Sequence, residues 1–130
     1  MLNRSGVTKE TYAATKQILA NVEHQVSVNC MIPKTIGVTV GDKKIVKAGT
    51  PIRINLMDLQ TGASIANDTS QPMNAVLLHD VDVTTNSFAN GTALIFGFVN
   101  VNRVDADVAE KINAVANAPG ASTKITFVKV

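Results

Sequence analysis

The sequence predicts an α+β domain: a small β-rich core, barrel-like or sandwich, with one packed helix and an N-terminal arm or helix. Three observations predict it. Several segments alternate apolar and polar residues with the period of a half-buried strand, most cleanly residues 124–130. One segment instead spaces Val104, Val108, Ile112 and Val115 by four, four and three residues, the period of a helix with one apolar face. The chain has 130 residues, 45% hydrophobic and 17% charged, which suits one domain and excludes a disordered chain. A domain of that size buries roughly two-thirds of the surface its unfolded chain exposes, so its core needs no metal or disulfide.

Residues 1–24 have helical character. Thr8 is placed as an N-cap, Val7 and Tyr12 sit at the flanking staple positions, and Ile18, Leu19 and Val22 form a thin apolar stripe. An isolated helix of that length is marginal in water, so the segment needs another surface to become ordered. From Gln25 the pattern changes. Val26, Val28 and Cys30 alternate with polar residues up to Pro33, and Ile36, Val38 and Val40 alternate again before a polar turn at residues 41–44. Residues 25–46 thus read as a hairpin or two extended pieces.

Residues 47–51 form a turn in which Gly49 can take positive φ and Pro51 holds the following chain extended. Ile52 and Ile54 mark a short strand. Residues 57–73 lose all period and read as an ordered irregular loop, which at that length is usually functional. Residues 75–84 read as one strand, buried at first and then alternating. Residues 85–91 read as a turn-rich link, on the strength of Asn90-Gly91. Residues 92–101 are apolar on both faces, which predicts a central strand, with Gly97 marking a bulge or close backbone packing. Asp105 caps the helix, Asp107 and Glu110 add negative charge at its positive end, and residues 117–120 stop it. Residues 124–130 close the fold, with Lys124 and Lys129 blunting an exposed edge.

Composition excludes several function classes. Twelve basic against ten acidic residues leave a net charge of +2, too little for a nucleic-acid or other polyanion partner. Aromatic residues are 4% and Trp is absent, so base-stacking surfaces are poorly supplied. No apolar run approaches the roughly 20 residues that span a bilayer, and no signal-peptide core follows the polar N-terminus, so synthesis in a cytoplasm without a membrane partner is expected. The N-x-S/T matches at Asn3, Asn67 and Asn90 then read as chance.

The most reactive-looking cluster is His79 with Asp80 and Asp82. On a strand the two carboxylates would share a face and could hold a cation or act as an acid–base pair, but a cation site needs six or more oxygens and no further acid lies nearby. Cys30 with His24 invites a nucleophile–base reading, yet Cys30 sits in an apolar alternation and reads as a buried small hydrophobe. A single cysteine permits no intrachain disulfide and no thiolate zinc site. No catalytic, cofactor or metal site is therefore expected. Arg53 and Arg103 suit bidentate pairing with carboxylates at a subunit contact.

Residues 46–104 carry a further pattern. Val46-Lys47-Ala48-Gly49-Thr50-Pro51-Ile52 leads into the irregular loop. Ala75-Val76-Leu77-Leu78-His79-Asp80-Val81-Asp82-Val83 follows, then Gly91-Thr92-Ala93-Leu94-Ile95-Phe96-Gly97-Phe98-Val99-Asn100. This order resembles the small head decoration proteins of tailed bacteriophages, the lambda type, in which a helix follows, as residues 105–117 do here. The resemblance covers about half the chain. It implies a non-enzymatic virion protein that binds the outside of the capsid, commonly as a homotrimer on local three-fold axes. Its partner would be the major capsid protein, and it would brace neighbouring subunits. The base of a head fibre, or another β-domain binding module on the phage head, is the alternative. Residues 1–45 are then expected to form an N-terminal arm or helix with an extended segment, and residues 46–130 the core. Val26, Val28, Ile36, Val38 and Val40 become the expected capsid contacts, because Val-rich extended segments can add to a neighbouring sheet edge.

Overall fold

A computed structural model describes residues 17–20 and 25–130. Its elements are β1 (Val26–Pro33), β2 (Val38–Val40), β3 (Lys43–Val46), β4 (Pro51–Arg53), β5 (Ser64–Ile65), β6 (Ala75–Leu77), β7 (Val81–Asp82), β8 (Phe88–Asn100), α1 (Ala106–Val115) and β9 (Ile125–Val128). The expected α+β class holds: two sheets and, among the described residues, a single α-helix. The larger sheet runs β1-β8-β6-β4-β5, with β9 also paired to β8, and the smaller runs β2-β3-β7. All pairs are antiparallel except β8 with β9.

The larger sheet curls. Its end strands approach closely enough that Ala63, just before β5, donates its N–H to the Met31 carbonyl of β1 at 2.9 Å. No β1–β5 ladder follows, so the ring is not a closed barrel. Period-two alternation then sorts side chains into two cores. On β6, Ala75 and Leu77 point to one face and Val76 to the other, and all three are fully buried. The first core joins Val76, Leu94 and Val99 to Val115 of α1, Ile125 of β9, and Ile18 and Leu19. The second joins Cys30, Ile32, Ile52, Leu77 and Ala93 to Val46 and Val81 of the smaller sheet and to Val83 just after it.

Helix α1 begins where expected, after Asp105, although the Asp105 side chain makes no capping bond. Val108, Ile112 and Val115 are its buried stripe. Gly49 has φ of +91°, and a Cβ there would lie 2.5 Å from Val104 Cγ1, so this turn lets the chain pass tightly under the entry to the helix.

Four sequence expectations need correction. First, residues 17–20 are not helical. Leu19 bridges Val99 antiparallel, Ala20 N–H donates to the Phe98 carbonyl, and Asn100 N–H donates to the Ile18 carbonyl. Ile18 and Leu19 are buried because β8 offers unpaired backbone there; the rest of the expected helical segment, residues 1–16 and 21–24, lies outside the described residues. Second, residue 45 does not divide an arm from a core. β1 pairs with β8 along its whole length and buries Cys30 and Ile32, so residues 26–33 are core.

Third, residues 75–84 are not one strand. After Leu78 the chain leaves the larger sheet, and β7 belongs to the smaller one, paired with β3. Fourth, Asn90-Gly91 is no turn. It lies inside β8, where Met31 pairs with Asn90 and Cys30 with Gly91. Gly91 serves close packing: a Cβ there would lie 2.7 Å from Ile32 Cγ1 and 3.2 Å from Leu77 Cδ1.

Ile32 is fully buried and Val40 is 43% exposed. Ile32→Ala should therefore lower unfolding free energy by about 2–5 kcal/mol in urea titrations. Val40→Ala should change it by no more than about 0.5 kcal/mol. A chain lacking residues 1–40 should show no cooperative transition, because β8 loses its longest ladder; a cooperative transition in that fragment would contradict the core position of β1.

Candidate functional site

The titratable cluster singled out in the sequence is dispersed. His79 and Asp80 lie exposed in the connection between β6 and β7. Asp80 Oδ1 accepts the Ala48 N–H at 2.7 Å, which ties that connection to the turn before β4. Asp82 turns to its own loop, its Oδ1 accepting the Thr84 N–H at 2.9 Å and the Thr84 hydroxyl at 2.6 Å. Those two bonds hold its carboxyl below its ordinary pKa. Each carboxylate thus accepts a backbone N–H, Asp80 across the fold and Asp82 within its own loop. Among the described residues no group of three or more His, Cys, Asp or Glu side chains is placed to hold a metal ion. Cys30 is buried with its thiol pKa pushed up by desolvation, the opposite of an activated nucleophile. His24 lies outside the described residues.

Lys47 forms a charge cluster that sequence spacing could not reveal. Its Nζ lies 3.2 Å from Asp105 Oδ2 and 3.1 Å from Asp107 Oδ2, at the start of α1. The contact pins the turn before β4 to the helix across some sixty residues of chain. Hydrogen bonding to Asp107 is the main reason the Lys47 pKa is raised, and the same bond lowers that of Asp107.

The two arginines expected at a subunit contact are both exposed and both donate within the chain. Arg53 Nη1 reaches the Pro72 carbonyl at 3.0 Å, and Arg103 Nη1 the Gln17 carbonyl at 3.3 Å. Neither is paired with a carboxylate among the described residues.

The five expected contact residues, four valines and one isoleucine, separate into two groups. Val26, Val38 and Val40 are 51%, 37% and 43% exposed. Val28 and Ile36 are half-buried and pack against the second core, so their side chains are largely spent on intramolecular contact. Val38 and Val40 lie on β2, the edge strand of the smaller sheet, which is exposed along its whole length.

The structure adds Phe96 and Phe98, which sequence reasoning placed in the interior. They are 46% and 38% exposed, and Phe96 sits directly opposite Val26. The available signal was Gly97 between them, which marked an irregularity in a strand apolar on both faces. Two apolar surfaces result: the β1/β8 end around Val26, Phe96 and Phe98, and the β2 edge.

The Lys47 cluster has a definite pH signature. Asp107 ionises more readily folded than unfolded, so its contribution is present above the unfolded value of about 3.9 and is lost as pH falls through the folded one. Lys47 holds its proton more firmly folded, so its contribution is present below about 10.4 and is lost as pH rises through the folded value. With the side chains 24% and 49% exposed for Lys47 and Asp107, water screens the pair. Lys47→Met should cost about 0.5–1 kcal/mol at neutral pH and low salt. In urea titrations that difference should shrink in 1 M salt and disappear as the pH falls through the folded pKa of Asp107.

Comparison of the chain with protein-family models, with curated proteins and with solved structures finds no match.

Proposed function

We infer that this protein is a structural, non-enzymatic component of a tailed-phage virion. It binds the outside of the capsid and braces neighbouring subunits of the major capsid protein. One observation carries the reading: large apolar side chains are exposed in groups on sheet margins, Val38 and Val40 on the β2 edge and Val26 beside Phe96 and Phe98. Scattered exposed apolar residues are ordinary, but grouped ones at a strand edge fit a surface that a partner covers. A strand edge also offers unpaired N–H and C=O groups, so an extended capsid segment can add to β2 through main-chain bonds while Val38 and Val40 supply apolar contact.

Residues 46–104, whose order of segments resembles the decoration family, include the Lys47–Pro51 turn, the loop, β6, β7 and β8. The resemblance supplies the virion setting; the exposed margins supply the means of attachment. A homotrimer on a local three-fold axis would turn three modest edge contacts into firm attachment, provided all three reach their sites together.

The test is co-sedimentation of the purified protein with capsids that lack it. Saturable binding is expected. Val38→Asp combined with Val40→Asp should leave the urea transition within about 0.5 kcal/mol of the parent, since both sites are exposed. The double variant should bind capsids at least tenfold more weakly, because a charge on an edge strand opposes strand addition. Undiminished binding by the folded double variant would remove β2 from the contact, and no binding of the parent at any capsid stage would remove the function.

A further inference from the structure

The larger sheet ends in a groove of about 370 Å³ beside Arg53, between β4, β5 and the loop that follows β5. That volume lies at the small end of ligand sites and admits a side chain with its flanking backbone. Arg53 and Ser64 are direct cross-strand partners on β4 and β5, so guanidinium and hydroxyl share one face. Thr61, Gln71, Asn55 and Asn74 complete the polar lining. Among the lining residues Arg53 carries the sole charge.

The groove is held in shape from beneath. Asn74 Oδ1 accepts the Ile54 N–H and Asn74 Nδ2 donates to the Ile54 carbonyl, both at 2.8 Å, which clamps the backbone next to Arg53. Asn67 Oδ1 accepts the Gln71 N–H at 2.8 Å, and Asn67 N–H donates to the Gln71 carbonyl at 2.8 Å, which sets the opposite wall. Arg53 itself is steadied by one bond, Nη1 to the Pro72 carbonyl. A guanidinium has five N–H donors in a planar fork, so most of them remain for a ligand.

We propose that this groove binds a carboxylate side chain, Asp or Glu, of an extended peptide segment of a partner protein. One cation without lysine or helix-start amides beside it matches the single negative charge of a carboxylate, where a phosphate dianion would call for more positive charge. The neighbouring polar groups, Ser64, Thr61 and Gln71, can satisfy the carboxylate's remaining lone pairs. Leu56 at the wall and Met57 beside it are 51% and 94% exposed, so residues flanking the acid are expected to be apolar. The inference stands apart from the capsid reading, because it rests on the groove alone.

The experiment is a titration of the ¹⁵N-labelled full chain, followed by NMR, with acetyl-Leu-Glu-Leu-amide and with its Gln counterpart. The Glu peptide should give saturable shifts at Arg53, Ser64 and Gln71 and bind at least fivefold more tightly than the Gln peptide. Arg53→Gln should weaken the Glu peptide about tenfold, Arg53→Lys should weaken it less, and Arg103→Gln should leave it unchanged. Equal binding of the two peptides, shifts centred elsewhere, or insensitivity to Arg53→Gln would overturn the proposal. So would sodium acetate matching the Glu peptide in affinity, since the groove would then read a bare carboxylate and no peptide. No capsid enters this titration, so its failure would leave the sedimentation result standing, and the reverse.

Discussion

One extra residue in β8 decides which side chains are core and which are surface. Val26 pairs with Phe96 but Ser27 pairs with Leu94, so Ile95 is unmatched and the strand carries a bulge. Leu94 and Val99 are five residues apart and would face opposite ways on a regular strand, yet both sit in the first core. The bulge changes the parity between them. Val99 thereby meets Leu19, Val115 and Ile125, and Phe96 and Phe98 are turned outward. Without that shift Val99 would face away from the first core, where Leu19, Val115 of α1 and Ile125 of β9 gather.

The same strand explains why β1 cannot be a detachable arm. Gly91 lets Ile32 and Leu77 close over the β8 backbone, and Ile32 and Cys30 fill the inside of the curled sheet. A strand whose alternate side chains line a core is held by burial worth about 1.5–3 kcal/mol per large apolar side chain. The partner-seeking surface is accordingly confined to the ends and margins: the exposed start of β1, and β2, which contributes none of its side chains to either core.

Local pattern carried much of the fold. The α1 stripe, the Gly49 turn, the buried pair Ile52 and Ile54, the centrality of residues 92–100 and the final strand were all legible, because each depends on exposure along a single segment. Partner choice was not legible. Residues 26–33 and 38–46 have the same alternation yet join different sheets, and residues 75–83 look continuous although β6 and β7 belong to different layers. Asn90-Gly91 is a strong turn signal locally, and it was overridden by the long ladder with β1. Arg53 could be named from its chemistry alone; the groove around it could not. Its walls depend on Asn67 and Asn74 side chains bonding backbone in a loop without period.

Exposed apolar edges invite unwanted pairing as readily as wanted pairing, and the chain limits that risk by geometry. β2 is three residues long, so a wrong strand gains few main-chain bonds from it. Lys43 and Lys44 lie opposite Val40 and Thr39 on β3, which places positive charge beside the edge and opposes pairing of two like edges. At the other apolar surface, Phe96 and Phe98 stand where β8 is already paired on both sides, by β1 and residues 18–20 on one and β6 and β9 on the other, so only side chains are offered there. A partner that uses both surfaces must therefore supply a strand for one and an apolar face for the other. That double requirement is what lets weak individual contacts discriminate between one partner and the many chains that could satisfy only half of it.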